Sequence, residues 1–537
     1  MRRGAEHRGC ARWLGPLSVL VGAACLPMAP AAAGDFMDTT ITFVAGDDNV
    51  LAGSGETTPS SPGMDFRPRT GNNLFFENYN TRNTGEETRG ELVLYKEFSG
   101  YFPRVVPEAA LALQWDANRI TRDTEQFQTT GNRKTYGGLK DDGSYLAVHF
   151  DGTDVPDPAD PKSKPSRLSL IFFPADSDRM RLGYSWEITW GGRGSFLLAN
   201  YVPGAMLSYK SQDWYAFAGG KTARTQRFTL SETDPHKDES ESIYGALGGA
   251  GIHLSPNLLL EAGGGYFDKG TIPTERGDIQ GTWLRQMGVS TQVTWHDGVD
   301  PKVPVDTKLL RNVTGDLRPR DWRPKHFGYL ISAEGTWTSQ NLEATEGDVR
   351  RGNVRREHGY AGDLNASVQD GRWTFSADVV TRNLAFLVQD TPGAYPYGSI
   401  SDEVETAPEI FGAVGVDYTF PELRFVPGIS VGVQRPAYYR TSDRSLYDGG
   451  LTYFRKTKNV LGETQVFPGT LPPGESVAPV YAGKMYLREY LSDLVSLALQ
   501  GQLTYDNNQV VNDPNSGARK FDSPVILGLN VLAQARF

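Results

Sequence analysis

The sequence predicts an all-β fold in which about 18 strands close into a single antiparallel barrel that spans a membrane. Three observations predict it. Stretches of roughly ten residues alternate apolar and polar side chains. Large aromatic residues gather at the ends of the apolar faces, and no stretch after residue 33 is apolar and long enough for a membrane-spanning helix. Because every backbone N–H and C=O group in hydrocarbon needs a partner, strands cross a membrane only as a closed barrel.

The alternation is visible strand by strand. A β-strand points successive side chains to opposite faces of the sheet. In the segment FGYLISAEGTWT, Phe327, Ile331 and Trp337 lie on one face, whereas Ser332 and Glu334 lie on the other. Each such segment therefore has an apolar face for lipid and a polar face for the lumen. The same alternation occurs at 181–190, 258–267, 360–369, 410–420, 495–505 and 525–537.

The aromatic residues favour a membrane over a soluble core. Aromatic rings at both edges of an apolar band suit the two membrane interfaces. In the alternative fold, two or three secreted β-sandwiches in tandem, large aromatics would lie mid-strand. A mean hydropathy of −0.43 fits strands in which only every second residue is apolar. The aromatics at strand ends are Trp190, Tyr266, Trp295, Trp337, Phe420, Tyr505 and Phe537.

Residues 1–33 have the features of a cleaved secretory signal peptide. Four arginines and a single acid precede an apolar stretch over 13–26, and Ala31 and Ala33 precede the predicted cut. The apolar stretch is too short for a membrane-spanning helix. Acylation of Cys25 as a lipoprotein is the less favoured alternative, because Gly22 occupies the position of a large aliphatic residue. Since the chain's two cysteines lie in this segment, we expect a mature protein without disulfides or Cys-ligated metal.

The C-terminal segment VILGLNVLAQARF, 525–537, combines an uninterrupted apolar face with a final aromatic residue. With the signal peptide, it resembles the Gram-negative outer-membrane β-barrels and, more loosely, the porin-like group. The resemblance implies location in the outer membrane, contact with its lipid and lipopolysaccharide, and recognition of the last strand by the barrel-assembly machinery. The residues that match this insertion signal are Phe537, Ala535, Ala533, Val531 and Leu529.

Connections define the predicted organisation. We expect a signal peptide at 1–33, an N-terminal segment with a first strand and a long loop at 34–88, and the barrel at 89–537. Short periplasmic turns are predicted to alternate with long outer loops. Counting strands back from the C-terminus also places the long segments 297–326 and 119–143 at the end of the barrel that carries the short turns. The short turns are predicted at 174–179, 209–214, 253–258, 369–373 and 420–427.

The strand count is the weakest point of the pattern. Nineteen segments qualify as strands, but a bacterial single-chain barrel has an even number. We therefore predict 18 strands, with about 16 as the alternative, and expect the surplus near 38–45 or 89–118. Either number leaves a water-filled lumen.

These features predict a channel for passive diffusion of small hydrophilic solutes; the alternative is a non-conducting barrel with a structural, adhesion or assembly role. Without residues 1–33 the chain carries 50 basic and 63 acidic side chains, which disfavours nucleic acid as a partner. Assembly into a homo-oligomer is left open. Opposed charges around a pore select ions, and the candidate pore-lining residues are Arg181, Glu187, Arg193, Glu261, Glu334, Asp363 and Asp417.

The loop over 191–203 is the candidate constriction. It is bounded by glycines, carries Arg193 as its single charge and contains the apolar run Phe196-Leu197-Leu198. Such a loop favours folding inward against the barrel wall, as the constriction loop of porins does by resemblance. A continued strand or an extracellular contact patch is the alternative.

Other motifs predict little chemistry. Acidic residues recur over 151–161 on a proline-rich stretch, and carboxylates of this kind could bind calcium; a solvated loop is favoured, because no closing glutamate follows. The cluster His253, Ser255 and Asn257 lies in a tight turn, so we predict no enzyme, no cofactor and no metal.

Overall fold

The computed structural model describes most of the mature chain. The described residues are 37–47, 50–51, 86–98, 100–116, 139–141, 143–153, 165–177, 180–185, 188–192, 196, 201–228, 238–271, 282–299, 301, 322, 324–343, 354–389, 405–440, 451–458, 464–512 and 519–536. The predicted signal peptide and Phe537 lie outside them. No helix in this part of the chain is long and apolar enough to cross a membrane.

Strands dominate the structure, and one short helix accompanies them. In chain order they are β1 (Asp38–Asp47), β2 (Glu86–Glu97), β3 (Val105–Asp116), β4 (Leu139–Asp141), β5 (Tyr145–Asp151), β6 (Arg167–Phe173), β7 (Gly204–Lys210), β8 (Trp214–Phe228), β9 (Asp238–Ser255), β10 (Leu258–Thr271), β11 (Trp283–Asp297), β12 (Lys325–Glu343), β13 (Val354–Gly371), β14 (Trp373–Arg382), α1 (Leu384–Val388), β15 (Glu405–Ala407), β16 (Glu409–Tyr418), β17 (Phe425–Arg435), β18 (Ala437–Arg440), β19 (Leu451–Lys458), β20 (Thr464–Thr470), β21 (Val480–Tyr490), β22 (Val495–Asp506), β23 (Val510–Asn512), β24 (Arg519–Phe521) and β25 (Val525–Arg536).

The strands form one closed antiparallel ring. Each barrel strand pairs with its neighbours in the chain, and β1 pairs with both β2 and β25, which closes the ring. Both β4 and β5 pair with β3 and form one interrupted strand. The barrel therefore has 18 strands, as predicted. Strands β15 and β18–β20 form a separate four-stranded sheet, and β23 and β24 form a two-stranded ribbon.

The surplus strand is the segment 181–190, not a segment near 38–45 or 89–118. Leu182 and Trp190 pair with each other across an antiparallel bridge instead of joining the wall. The sequence pattern does not distinguish this hairpin from a straight strand. In both, the apolar residues occupy the even-numbered positions and lie on one face. Residues 174–177, the described part of the predicted short turn at 174–179, begin the connection that leaves the wall.

The two ends of the barrel differ in their connections. At one end, called here the turn end, the strands are joined by 98–104, 152–166, 211–213, 256–257, 298–324, 372, 419–424 and 491–494. The other end, the loop end, carries the longer loops. The connection 298–324 is at the turn end as predicted, and Trp322 within it packs on Tyr490 with ring centroids 5.3 Å apart. The predicted position of 119–143 is wrong, because 117–138 joins β3 to β4 at the loop end.

The predicted faces are confirmed. The side chains of Leu364 and Val414 are 51% and 56% exposed on the outer surface, whereas Asp363, next to Leu364, and Asp417, on the opposite face of the same strand as Val414, are 7% and 5% exposed. Aromatic pairs mark the turn end of the apolar surface, with ring centroids 5.0 Å apart for Trp295 and Tyr329 and 4.6 Å for Trp373 and Tyr418. Exposed aromatics mark the loop end: Tyr266, Trp283, Tyr360, Tyr481 and Tyr505.

Placing an arginine on the outer face tests this assignment. We expect Leu499→Arg or Val414→Arg to lower the free energy of unfolding in lipid by about 2–4 kcal/mol, because both residues lie near the middle of the apolar band. Gln500→Arg, one position along β22 and facing inward, serves as the matched control and should be far better tolerated. Equilibrium unfolding in lipid vesicles measures the difference. Equal losses for Leu499→Arg and Gln500→Arg would contradict the assignment of the two faces.

Candidate functional site in the barrel lumen

A row of carboxylates crosses the inner wall over β10–β13. In the strand register Glu261 is opposite Gln292, Gln292 is opposite Glu334, and Glu334 is opposite Asp363. We call Glu261, Glu334 and Asp363 the acidic row. The sequence placed these residues on the lumen face, and the structure brings them together at one level of the barrel.

Polar partners satisfy two of these carboxylates. Glu261 accepts hydrogen bonds from the Tyr215 hydroxyl at 2.7 Å and from Gln292 Nε2 at 3.0 Å. Glu334 accepts the backbone N–H groups of Tyr184 at 3.0 Å and Ser185 at 2.5 Å. Hydrogen bonds to an ionised acceptor are stronger than neutral ones. Glu334 is therefore bound to another part of the chain and is not a free charge in the lumen.

The remaining predicted pore-lining residues lie elsewhere. Asp417 is on the inner face of β16, nearer the turn end than the acidic row. Arg181 belongs to the segment between β6 and β7. Glu187 and Arg193 fall outside the residues that the structure describes, so their place in a pore stays a prediction.

The segment between β6 and β7 lies inside the barrel. Its described residues 180–185 and 188–192 form a hairpin, called here the inward hairpin. Leu182 N–H donates to Trp190 O at 2.9 Å, and Trp190 N–H donates to Leu182 O at 3.0 Å. At the tip, Ile188 N–H donates to Ser185 O at 3.2 Å. Gly183 and Gly191 have positive φ angles of 96° and 71°, which glycine adopts at little cost.

The hairpin is held against β8–β12. Trp190 Nε1 donates to Ser290 Oγ at 3.0 Å, and its ring meets Phe267 edge-on with centroids 5.6 Å apart. Phe196, further along the segment, also meets Phe267 edge-on, at 5.9 Å. These residues belong to one buried apolar cluster that includes Leu182 and Phe217. The inner wall is therefore apolar around Trp190 and Phe196.

Glycines of β9 and β10 make room for the hairpin. A Cβ atom on Gly265 would lie 2.7 Å from Leu182 Cδ1, and one on Gly245 would lie 2.9 Å from Phe196 Cζ. The glycine-rich stretches of these strands therefore seat the inward segment. From sequence alone they are ordinary strand glycines at a bend.

Lys221 ties both limbs of the segment to the wall. Its Nζ atom donates to Ser177 O at 2.8 Å and to Gly191 O at 2.9 Å. The side chain is 2% exposed. A buried ammonium needs such partners because its desolvation is costly. Sequence reasoning missed Lys221; the available signal was a lysine at an inward position of β8 among small residues.

A second element enters the lumen between β14 and β15. Helix α1 begins after Asn383, whose side chain caps it by accepting the Phe386 N–H. Gln389 fastens its other end, because its carbonyl oxygen accepts Lys269 Nζ at 2.5 Å and its side chain accepts Thr338 Oγ1 at 2.6 Å. No helix was predicted here from the sequence. The signals were the capping asparagine and the apolar run that follows.

The two inward elements meet. Ile188, at the tip of the inward hairpin, lies in one buried cluster with Phe386 of α1 and Phe411 of β16. Wall residues of β13, β14 and β21 complete that cluster. A single cross-section of the lumen is therefore occupied by two different connections.

A buried ion pair stands at the loop end next to this cluster. Arg382 makes a bidentate contact with Glu409, in which Nε donates to Oε2 at 3.0 Å and Nη2 donates to Oε1 at 2.8 Å. Gln434 Nε2 donates to the same carboxylate at 2.5 Å. Removing one partner of a buried ion pair leaves the other charge buried and uncompensated. We therefore interpret this contact as structural.

Another polar network has the composition of a hydrolytic triad. His149 Nδ1 lies 2.7 Å from Ser169 Oγ, and its Nε2 lies 3.1 Å from Glu108, which also accepts the Tyr145 hydroxyl. The backbone of β6 pairs with β5 and β7 on either side, so the N–H groups around Ser169 are engaged in the sheet. An oxyanion needs such donors free. We interpret the network as a tie across β3, β5 and β6.

The motifs with possible metal or hydrolytic chemistry lie only partly within the described residues. Asp151, the first residue of the acidic repeat, pairs with Arg167 at 2.6 Å, and the rest of the repeat lies outside the described residues. Among the described residues no group of three or more histidines, cysteines or carboxylates is arranged to hold a metal. His253 lies in the β9–β10 turn region beside His296, with ring centroids 6.2 Å apart.

The fold and its two faces define a transmembrane β-barrel of the outer-membrane type. Backbone groups are satisfied around a closed ring, the outer surface is apolar between two aromatic belts, and the inner surface is rich in polar groups. The predicted fold, a closed antiparallel barrel of 18 strands, is confirmed.

Comparison with known proteins adds the following. No protein-family model and no curated protein sequence matches the chain. Similar solved structures include OccK1 (OpdK) of Pseudomonas aeruginosa, with a TM-score of 0.40 and 10% identity over 94% of this chain and 99% of that one. OccAB2 of Acinetobacter baumannii has a TM-score of 0.41 and 8% identity, covering 93% and 97%. OpdL of Pseudomonas aeruginosa has 0.40 and 9%, covering 93% and 98%.

Proposed function

We propose that the protein is an outer-membrane channel through which small hydrophilic solutes diffuse passively. The observation that supports this proposal most directly is the closed ring of 18 strands with a polar inner face. Rings of about this size enclose an aqueous channel, whereas rings of about eight strands are filled by their own side chains. The turn end faces the periplasm, because short turns lie on that side in bacterial barrels.

In this proposal the inward hairpin and α1 constrict the channel. Both elements occupy the lumen at the level of the cluster around Ile188 and Phe386. The loop 191–203 extends one limb of the hairpin, and the proposal includes a charge at the narrow section from Arg193, which lies outside the described residues. The protein's partners are then outer-membrane lipid, lipopolysaccharide, the barrel-assembly machinery and the permeating solutes, and it carries out no chemistry.

A second candidate is a barrel that does not conduct. It is favoured by the burial of inner-wall charges on β21, where Lys484 and Arg488 are 2% and 1% exposed. Charges that line an open water-filled passage would be more accessible. In this reading the lumen is filled, and the protein has a structural, adhesion or assembly role.

Planar-bilayer recording of the refolded protein separates the two candidates. We expect discrete conductance steps, because the ring is wide enough to retain water around the inward elements. Folding is checked beforehand by faster migration on unheated than on boiled gels, and a barrel boiled before addition serves as the control. A folded, inserted protein that produces no steps would favour the non-conducting role.

A further inference from the structure

The acidic row lies beneath the inward hairpin. Glu261, Glu334 and Asp363 are 1%, 6% and 7% exposed, although they face the lumen of a barrel that is wide enough to hold water. Three carboxylates at one level would dominate the local potential if water and ions reached them. Their low exposure means that another part of the protein separates these carboxylates from the passage.

The contacts indicate that the inward hairpin is the layer between the acidic row and the passage. The N–H groups of Tyr184 and Ser185 point at the Glu334 carboxylate. A Cβ atom on Gly183 would lie 3.2 Å from Glu334 Oε1, so the hairpin backbone passes directly over this residue. Leu182 and the Tyr184 hydroxyl lie 3.1 and 3.6 Å from the Cβ position of Gly263, two residues along β10 from Glu261.

Apolar packing and side-chain hydrogen bonds hold this layer in place. The hairpin has no ladder with the wall among the described residues. Its polar attachments there include the contacts of Glu334 with the tip, of Ser290 with Trp190, and of Lys221 with the limb at Gly191. The ring is closed by its own strand pairs, in which the hairpin takes no part. Release of the hairpin therefore leaves the pairing of the barrel intact.

We propose that the inward hairpin is a fastened cover that hides the acidic row from permeating ions, and that Lys221, Ser290 and Glu334 are the positioning residues that fasten it. The inference rests on the proposed channel function. With the cover in place the carboxylates contribute little to ion selectivity. With the cover released they face the passage and attract cations, most strongly at low salt, where the Debye length is about 30 Å at 0.01 M.

Ion selectivity tests the cover without a change of charge. Trp190→Ala removes the indole that binds Ser290 and packs on Phe267, and it leaves the net charge unaltered. In a dilute KCl gradient across a planar bilayer, we expect the reversal potential of Trp190→Ala to show a severalfold higher ratio of potassium to chloride permeability than the wild type. Gln500→Ala, an inward residue of β22 on the far side of the ring, is the matched control.

A second substitution identifies the source of the shift. Adding Glu261→Gln to Trp190→Ala should reverse much of the gain in cation selectivity, whereas Glu261→Gln in the wild-type background should have a much smaller effect. Equal effects of Glu261→Gln in the two backgrounds would show that the acidic row is already exposed, and would overturn the proposal. So would an unchanged selectivity in Trp190→Ala.

Thiol labelling tests the cover independently of conduction. The predicted mature chain has no cysteine, so Leu182→Cys, at a site 1% exposed, is a single reporter. We expect maleimide to label it severalfold faster when Lys221→Met is added, and Lys221→Arg to restore slow labelling, because a guanidinium can donate to both carbonyls. Thr504→Cys on β22 is the control, and its labelling should not depend on Lys221.

Failure of the proposed channel function and failure of the cover proposal would give different results. A wild-type protein that opens no channel, but shows the labelling difference, would refute the channel and keep the cover. A conducting protein in which Lys221→Met leaves the labelling rate of Leu182→Cys unchanged would refute the cover and keep the channel.

Discussion

Deleting Gly194–Ala199 is expected to raise the single-channel conductance severalfold. Within this stretch the structure describes Phe196, which is buried against Phe267 inside the barrel. Removing the stretch takes out the aromatic anchor and shortens the limb that follows the inward hairpin. Because the narrowest section dominates the resistance of a pore, widening it has a large effect. Single-channel recording in planar bilayers, on variants that pass the gel test of folding, measures the change.

A deletion of equal length within 344–353, which joins β12 to β13 at the loop end, is the matched control. Its conductance should stay near that of the wild type, since both of its flanking strands run on to the loop end without turning into the lumen. If removal of Gly194–Ala199 leaves the conductance as it was, the segment between β6 and β7 does not set the width of the channel.

Loss of Phe537 is expected to abolish most of the folded protein in the membrane. Phe537 follows β25, which pairs with β22 on one side and with β1 on the other and so closes the ring. The resemblance to outer-membrane barrels implies that the assembly machinery recognises this final aromatic together with the apolar face that precedes it. We expect Phe537→Asp, or its deletion, to send the chain to degradation. The measurement is the amount of heat-modifiable protein in outer-membrane fractions.

Phe537→Tyr separates recognition from simple damage to the last strand, because it keeps an aromatic ring at the terminus and should restore most of the folded protein. The outer-membrane fraction should then contain nearly wild-type amounts. Normal amounts of folded Phe537→Asp would show that the final residue is not an insertion signal in this protein.

The inward face of the site could be predicted from the sequence, but its contacts could not. Parity along β10, β12 and β13 places Glu261, Glu334 and Asp363 on the lumen side, and the structure agrees. Nothing in the local pattern indicates that Glu334 binds Ser185, 149 positions away in the chain. Lys221 was missed for the same reason, since its partners are carbonyl groups of a distant segment.

By itself the sequence determined the barrel, its two faces and the approximate number of strands. These follow from a period of two, which is a local property of an extended chain and repeats in every wall strand. Tertiary structure alone decided that 181–190 leaves the wall. A wall strand and a folded hairpin keep the same parity of apolar residues, so the choice between them depends on packing: the glycines of β9 and β10 open a seat, and Lys221 and Glu334 hold the hairpin there.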